Sequence, residues 1–121
     1  MTWNVEYTDE FGEWWTLLNQ ITQEDIDTYV HLLEQKGPQL GFPFCSSILG
    51  SRHSHMRELR VQSQGRPVRI FYAFDPMRTA ILLIGGDKTG DNRFYETTLA
   101  QADHLYDVHM AELENEKGQN P

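Results

Sequence analysis

The stretch from Met56 to Phe74, MRELRVQSQGRPVRIFYAF, decides the fold. It reads as two strands around a turn. In the first, 56–62, Leu59 and Val61 fall on one face and Glu58 and Arg60 on the other, the alternation a strand requires. In the second, 68–74, Val68, Ile70, Tyr72 and Phe74 oppose Arg69, Phe71 and Ala73. Gln64-Gly65 sits between them as a two-residue hairpin turn. That register sets Leu59 against Ile70, Val61 against Val68 and Arg60 against Arg69. Two arginines face to face repel unless an anion or a carboxylate lies between them, and Glu58 shares their face. Pro67 donates no ladder hydrogen bond, so this part of the hairpin belongs at an edge or in a non-hydrogen-bonded pair.

Outward from the hairpin the spacing becomes helical. Asn4–Tyr7 is a short strand. Asp9 is the expected N-cap of a helix over Glu10–Asn19, with Phe11, Trp14, Trp15 and Leu18 on one side. Thr22 with Asp25 resembles a capping box, and Ile26, Tyr29, Val30 and Leu33 follow at helical spacing. Lys36-Gly37-Pro38 ends that second helix: a cation in the last turn, then glycine, then proline. Residues 39–55, with Pro43, Gly50 and several serines, read as a loop. Downstream, Asp75-Pro76 marks a turn, and Ala80–Ile84 is apolar on both faces, as a central strand is. Gly85-Gly86 is expected to end that strand and to let the backbone approach something closely. Asn92 is the expected cap of a long last helix, its stripe running through Leu99, Ala102, Leu105, Tyr106, His109, Met110 and Leu113. The expected order is β-α-α-β-β-β-α. This is an α+β domain in which an N-terminal helical hairpin packs on a small antiparallel sheet with a C-terminal helix. One domain spans 1–116, and 117–121 is a polar tail expected to fray.

The chain is acidic, with a net charge of −8, but the charge is uneven. Residues 52–93 hold eight of the ten lysines and arginines against four carboxylates, a local balance of +4, while the rest stands at −12. A basic middle between acidic ends suits a local polyanion site. The same pattern arises when the strands of a soluble protein simply happen to hold its arginines. Hydrophobic residues make up 39%, enough for a packed core and too many for a disordered chain. The single cysteine, Cys45, excludes an internal disulfide framework and a cysteine-based zinc cluster, and suits the reducing cytosol. The N-terminal residues lack the basic-then-apolar pattern of a signal peptide, and the longest apolar run, Ala80–Gly86, is too short for a bilayer. The expectation is a cytoplasmic protein with no membrane partner.

Several smaller features carry competing meanings. His53 and His55, two apart beside the basic strand, suit an acid and a base; metal ligation would need a third ligand, which the neighbourhood lacks. Their plain alternative is two solvated loop histidines. No metal or cofactor is expected. Gly85–Gly90 lacks the spacing of a phosphate loop, and Cys45 lacks an activating pattern. Adjacent Trp14 and Trp15 cannot both face inward on one helix, which leaves one for a partner.

Four pieces of the chain are familiar in this order: Glu58-Leu59-Arg60; Arg69-Ile70-Phe71-Tyr72; an apolar strand running into Gly85-Gly86-Asp87-Lys88-Thr89-Gly90-Asp91; and Ala102-Asp103-His104-Leu105-Tyr106 in the last helix. Together they resemble the phage-derived HigB-like branch of the RelE/ParE toxin superfamily, over about residues 4–113. No piece is specific alone; order and spacing carry the likeness. The resemblance implies a RelE-like fold and the toxin of a type II toxin–antitoxin system. Such a toxin is an endoribonuclease that cuts mRNA on the translating ribosome and is restrained by a helix-turn-helix, HigA-like antitoxin. This chain departs from its relatives in having Asp87-Lys88 where many carry two lysines, and in being acidic where they are basic.

The implied cleavage uses no metal. The RNA 2′-OH attacks the neighbouring phosphate and a 5′ oxygen leaves, so the site removes one proton, supplies another and stabilises negative charge. Arg60 and Arg69 are expected to grip the phosphate, and Lys88 to add charge or move a proton. Arg57, Arg66 and Arg93 are expected RNA contacts, as is Tyr95, by stacking or by orienting the 2′-OH. Arg69→Ala is expected to abolish growth arrest with folding intact. Two other readings stay open: a ParE-like toxin acting on a protein target such as DNA gyrase, and a catalytically silent relative that only pairs with its antitoxin.

Overall fold

The computed structural model describes residues 2–119, with side chains through Glu116. The strands are β1 (Asn4–Tyr7), β2 (Cys45–Ser47), β3 (Arg57–Ser63), β4 (Arg66–Phe74) and β5 (Thr79–Asp87). The helices are α1 (Asp9–Thr16), α2 (Gln20–Lys36) and α3 (Phe94–Gln119). Of the expected tail, 117–121, only the helical backbone through Gln119 is described; the rest lies outside the described residues.

The β3–β4 hairpin has the expected register: Leu59 pairs with Ile70, Arg60 with Arg69 and Val61 with Val68. Its turn is Gln64-Gly65, both left-handed, at φ 54° and 77°. Two left-handed residues match the twist of the flanking strands, which is why so short a turn closes a long hairpin. The sheet order is β1-β5-β4-β3-β2. It is antiparallel from β2 to β5, and β1 joins β5 in parallel, Asn4 opposite Thr79 and Tyr7 opposite Leu82.

Three expectations at element ends are corrected. Thr8, not Asp9, caps α1; its hydroxyl accepts from Phe11 N–H at 3.0 Å and donates to the Leu83 carbonyl at 2.7 Å. Asn19, not Thr22, caps α2, accepting from Thr22 N–H at 2.8 Å, so α1 stops at Thr16. Asn92 lies in the turn before α3, where the Asp91 carboxylate accepts from Arg93 N–H at 3.0 Å. The caps of α1 and α2 were sought too late in sequence, because a later polar residue also suits the role. The 39–55 loop contains β2, three residues that add to the β3 edge.

The sheet separates two cores. Leu59, Val61, Val68, Ile70 and Tyr72 face α1 and α2 and meet Phe11, Ile26 and Leu33. Phe71, Ala73, Ile81 and Leu83 face α3 and meet Phe94, Leu99, Ala102 and Tyr106. Gly85-Gly86 does not end β5, as the dipeptide alone suggests, but lies inside it. A Cβ on Gly85 would run into the Trp14 ring, and one on Gly86 would come within 2.7 Å of the Phe94 ring. Both helical layers therefore press on bare backbone at this level of the sheet.

Candidate functional site

The site forms where β3, β4 and the end of β5 meet the first turn of α3. On the α3 face, Arg60 and Arg69 stand opposite each other, and Gly86 is the β5 neighbour of Arg69. Glu58 pairs with Phe71 on one side and with Ser46 of β2 on the other. Phe94 stacks on Phe71 with centroids 5.9 Å apart and occupies the space above Gly86. That contact sets the position of the next residue, Tyr95, whose hydroxyl donates to Glu58 Oε1 at 2.6 Å.

Glu58 is the hub. Ser46 Oγ donates to Oε2 at 3.1 Å, and Arg69 Nε lies 3.3 Å from Oε1. Arg69 and Glu58 are each only 4% exposed. Nη1 of Arg69 donates to the Val68 carbonyl at 3.1 Å, but its Nε–H has no hydrogen-bond partner of good geometry. Charge, more than a directed bond, therefore holds the pair. The facing arginines are separated as their chemistry demands. Arg69 turns to the carboxylate, while Arg60 turns outward and lies over the Phe42 ring, 5.3 Å from its centroid.

Lys88 completes the cluster. Its N–H donates to the Pro67 carbonyl, and its Nζ lies 5.3 Å from the Tyr95 ring centroid. Partial burial holds its ammonium below the usual lysine range, and the charges of Arg69 and Arg60 push the same way; Glu58 opposes them. The Tyr95 phenol is pushed up, first by burial and then by its hydrogen bond and proximity to Glu58. Tyr95 thus stays protonated and donating.

Arg60, Arg69, Lys88 and Tyr95 are brought together. Arg57 lies on the other face of the sheet, donating to the Leu40 carbonyl at 3.2 Å. Arg66 is exposed at the hairpin tip, 3.8 Å from Asp87, and Arg93 is exposed and paired with Glu96 at 3.2 Å. His53 and His55 are strapped to the middle of α3: His53 Nε2 is 2.9 Å from Asp107, and His55 Nε2 is 3.0 Å from the Tyr106 hydroxyl. That hydroxyl donates to the Phe74 carbonyl, five residues along β4 from Arg69, a distance of about 16 Å at strand spacing. Cys45 is buried, with Sγ 3.0 Å from the Leu40 carbonyl. Two members escaped sequence reasoning. Glu58 read as a counter-charge rather than a centre, although its place on the arginine face was the available signal. Ser46, in a three-residue strand, gave none. Among the described residues no group of three or more His, Cys, Asp or Glu is arranged to hold a metal. No described helix is long and apolar enough to cross a membrane.

The geometry changes one expectation. With Glu58 buried against it, Arg69 cannot be truncated without stranding a carboxylate in the core. Arg69→Ala therefore tests stability together with function, and substitutions at the more accessible Arg60 and Lys88 are the cleaner probes.

Residues 13–107 match the family described as phage derived protein Gp49-like. Two similar proteins come from Mycobacterium tuberculosis. One, named as toxin HigB2, is 38% identical over 117 residues, 95% of this chain and 58% of that protein. The other, named as toxin HigB3, is 41% identical over 91 residues, 74% of this chain and 78% of that protein. The chain thus spans little more than half the length of the first. Among solved structures, a chain of the archaeal RelE–RelB complex from Pyrococcus horikoshii OT3 is similar with a TM-score of 0.54 at 12% identity, covering 74% of this chain and 99% of that one. A chain of the toxin–antitoxin complex RelBE2 from M. tuberculosis gives 0.55 at 12% identity, covering 72% and 99%. At that identity the structural likeness is one of fold.

Proposed function

This chain belongs to the phage-derived Gp49-like family, in its HigB-type branch of RelE-like toxins, and from that premise we propose that it is a type II toxin that cleaves mRNA on the ribosome. The observation that carries the chemistry is the meeting of Arg69 and Lys88 at one carboxylate, Glu58, beneath the Tyr95 hydroxyl, with the charge of Arg60 also felt by Lys88. In the free protein Glu58 occupies Arg69. An RNA phosphate is the stronger partner for a guanidinium fork and draws Arg69 toward itself, with Arg60 and Lys88 adding charge. Glu58, relieved of its cation, is left with an unpaired carboxylate beside the bound RNA. It takes the 2′-OH proton, and the Lys88 ammonium, already weakened by burial and its arginine neighbours, gives one to the leaving 5′ oxygen. Tyr95 keeps Glu58 oriented and offers its ring to a base.

The partner in this reading is a small HigA-like, helix-turn-helix antitoxin, and the place of action is the cytoplasm. The toxin names of the relatives and the antitoxin-bound state of the similar folds support such a pairing. The test is inducible expression in bacteria with mRNA ends mapped by primer extension, for wild type, Lys88→Met and Arg60→Ala. In-frame cuts within translated messages, lost with Lys88→Met, are expected. Growth arrest with intact messages would point instead to a protein target such as DNA gyrase, and normal growth to a silent antitoxin-binding relative.

A further inference from the structure

The opposite edge of the sheet is built for a different purpose. Among the described residues β1 has one strand neighbour, β5, and its outer edge is unpaired. A hollow flanks it on each side. Between β1, α1 and α2 runs an apolar groove of about 470 Å³, lined by Val5, Phe11, Trp15, Val30 and Leu82. Between β1 and the later turns of α3 lies a more polar hollow of about 680 Å³, reaching from Glu6 to Glu116. Tyr7 lines both and is 67% exposed. An open strand edge beside apolar surface is a common place for another chain to dock.

Charge says what kind of chain. Asp27 and Glu34 line the groove, and six carboxylates line the hollow, among them Glu6, Glu112 and Glu116. Among the described residues no lysine or arginine lines either one. Such a field repels RNA, anionic lipid and any other acidic surface, and attracts a cationic one. A protein of net charge −8 meeting its own acidic edge would be repelled in the same way. The α1–α2 groove also accounts for adjacent Trp14 and Trp15: Trp14 packs on Gly85 in the sheet, and Trp15 lines the groove.

We propose that the β1 edge is the docking surface for a cationic segment of the antitoxin, one that sets apolar side chains in the α1–α2 groove and lysines or arginines against the acidic hollow. This rests on the reading of the chain as a toxin with an antitoxin. The surface is separate from the cationic cluster: β1 pairs with Thr79–Leu82, at the start of β5, whereas Arg69 faces Gly86 near its end. A segment seated on β1 thus binds without itself covering Arg60 or Lys88.

The probe is the protein encoded in the reading frame beside this chain's own, co-expressed and then titrated against the purified chain by calorimetry. Two surface variants are compared with wild type, Tyr7→Ser and the double reversal Glu112→Lys/Glu116→Lys, with Glu24→Lys, exposed on α2 and lining neither hollow, as control and melting curves to verify folding. The expected result is at least a tenfold loss of affinity for each edge variant, no change for the control, and weakening of the wild-type complex by salt. A complex that forms equally well with both edge variants overturns the docking surface and leaves the antitoxin reading standing. No complex with wild type overturns the antitoxin reading and the surface with it. Self-association of the chain alone, abolished by the double reversal, would make the occupant a second copy and overturn the proposal.

Discussion

Arg69 and Glu58 face each other in a place that water scarcely reaches. Removing one partner of such a pair typically costs about 3–5 kcal/mol, because the other is left buried and unmatched. Arg69→Ala should therefore lower the free energy of unfolding by about 3 kcal/mol, read from urea titrations, and Glu58→Ala added to it should recover much of the loss. Additive losses in the double variant would show that the pair is not coupled. Lys88 behaves in the opposite sense. Its folded affinity for a proton is lower than in the unfolded chain, so at neutral pH its charge works against folding, and the penalty lifts as pH rises through its depressed range toward that of free lysine. Lys88→Met should thus melt no lower than wild type at pH 7, and its relative advantage should shrink above about pH 10. A variant that melts well below wild type at pH 7 would contradict this. Lys88 is partly exposed, so the effect is small. At this scale the sequence was half readable. Alternation placed Glu58 with the arginines, but alternation assigns a face and not a depth, and the covering ring of Tyr95 comes from 37 residues away.

Between elements the decisive contact is a glycine under an aromatic ring. Gly86 admits Phe94, and Phe94 places Tyr95 over Glu58. Gly86→Ala should cost about 1–3 kcal/mol through overpacking. It should also tilt the first turn of α3, so that Tyr95 loses its bond to Glu58 and its phenol titrates closer to the ordinary range. Ultraviolet titration of the phenol in both proteins measures the second effect; an unchanged titration would show that Phe94 yields without moving its neighbour. Elements with their own periodicity were legible: the hairpin, the stripe of α2 with Ile26 and Leu33, and the central strand. Those that exist only through tertiary pairing were not. β2 is too short to alternate, and the glycines of β5 read as a break because nothing local reveals the rings they accommodate.

Across the whole molecule, charge is sorted by position: a small cationic cluster on the β3–β5 side and carboxylates around the β1 edge. A net-acidic chain should therefore bind single-stranded RNA through few phosphates. With about three cations engaged, the logarithm of affinity should fall with the logarithm of salt at a slope of about −2, and Lys88→Met should reduce that slope by about 0.7. Filter binding over a salt series checks both figures, and a slope near zero would remove RNA from the site. The sign of the local charge was legible because the arginines cluster in sequence; the acidic edge was not, because its members come from β1, α1, α2 and α3. The parallel pairing of β1 with β5 joins residues 75 apart. As the chain is made, its first strand and two helices emerge with Phe11, Ile26 and Leu33 uncovered until β3 and β4 follow, and β1 waits for residues 79–82 to pair with it. Tyr95 arrives later still. While the chain is being made, Glu58 thus stays without the Tyr95 hydroxyl until the start of the last helix has followed.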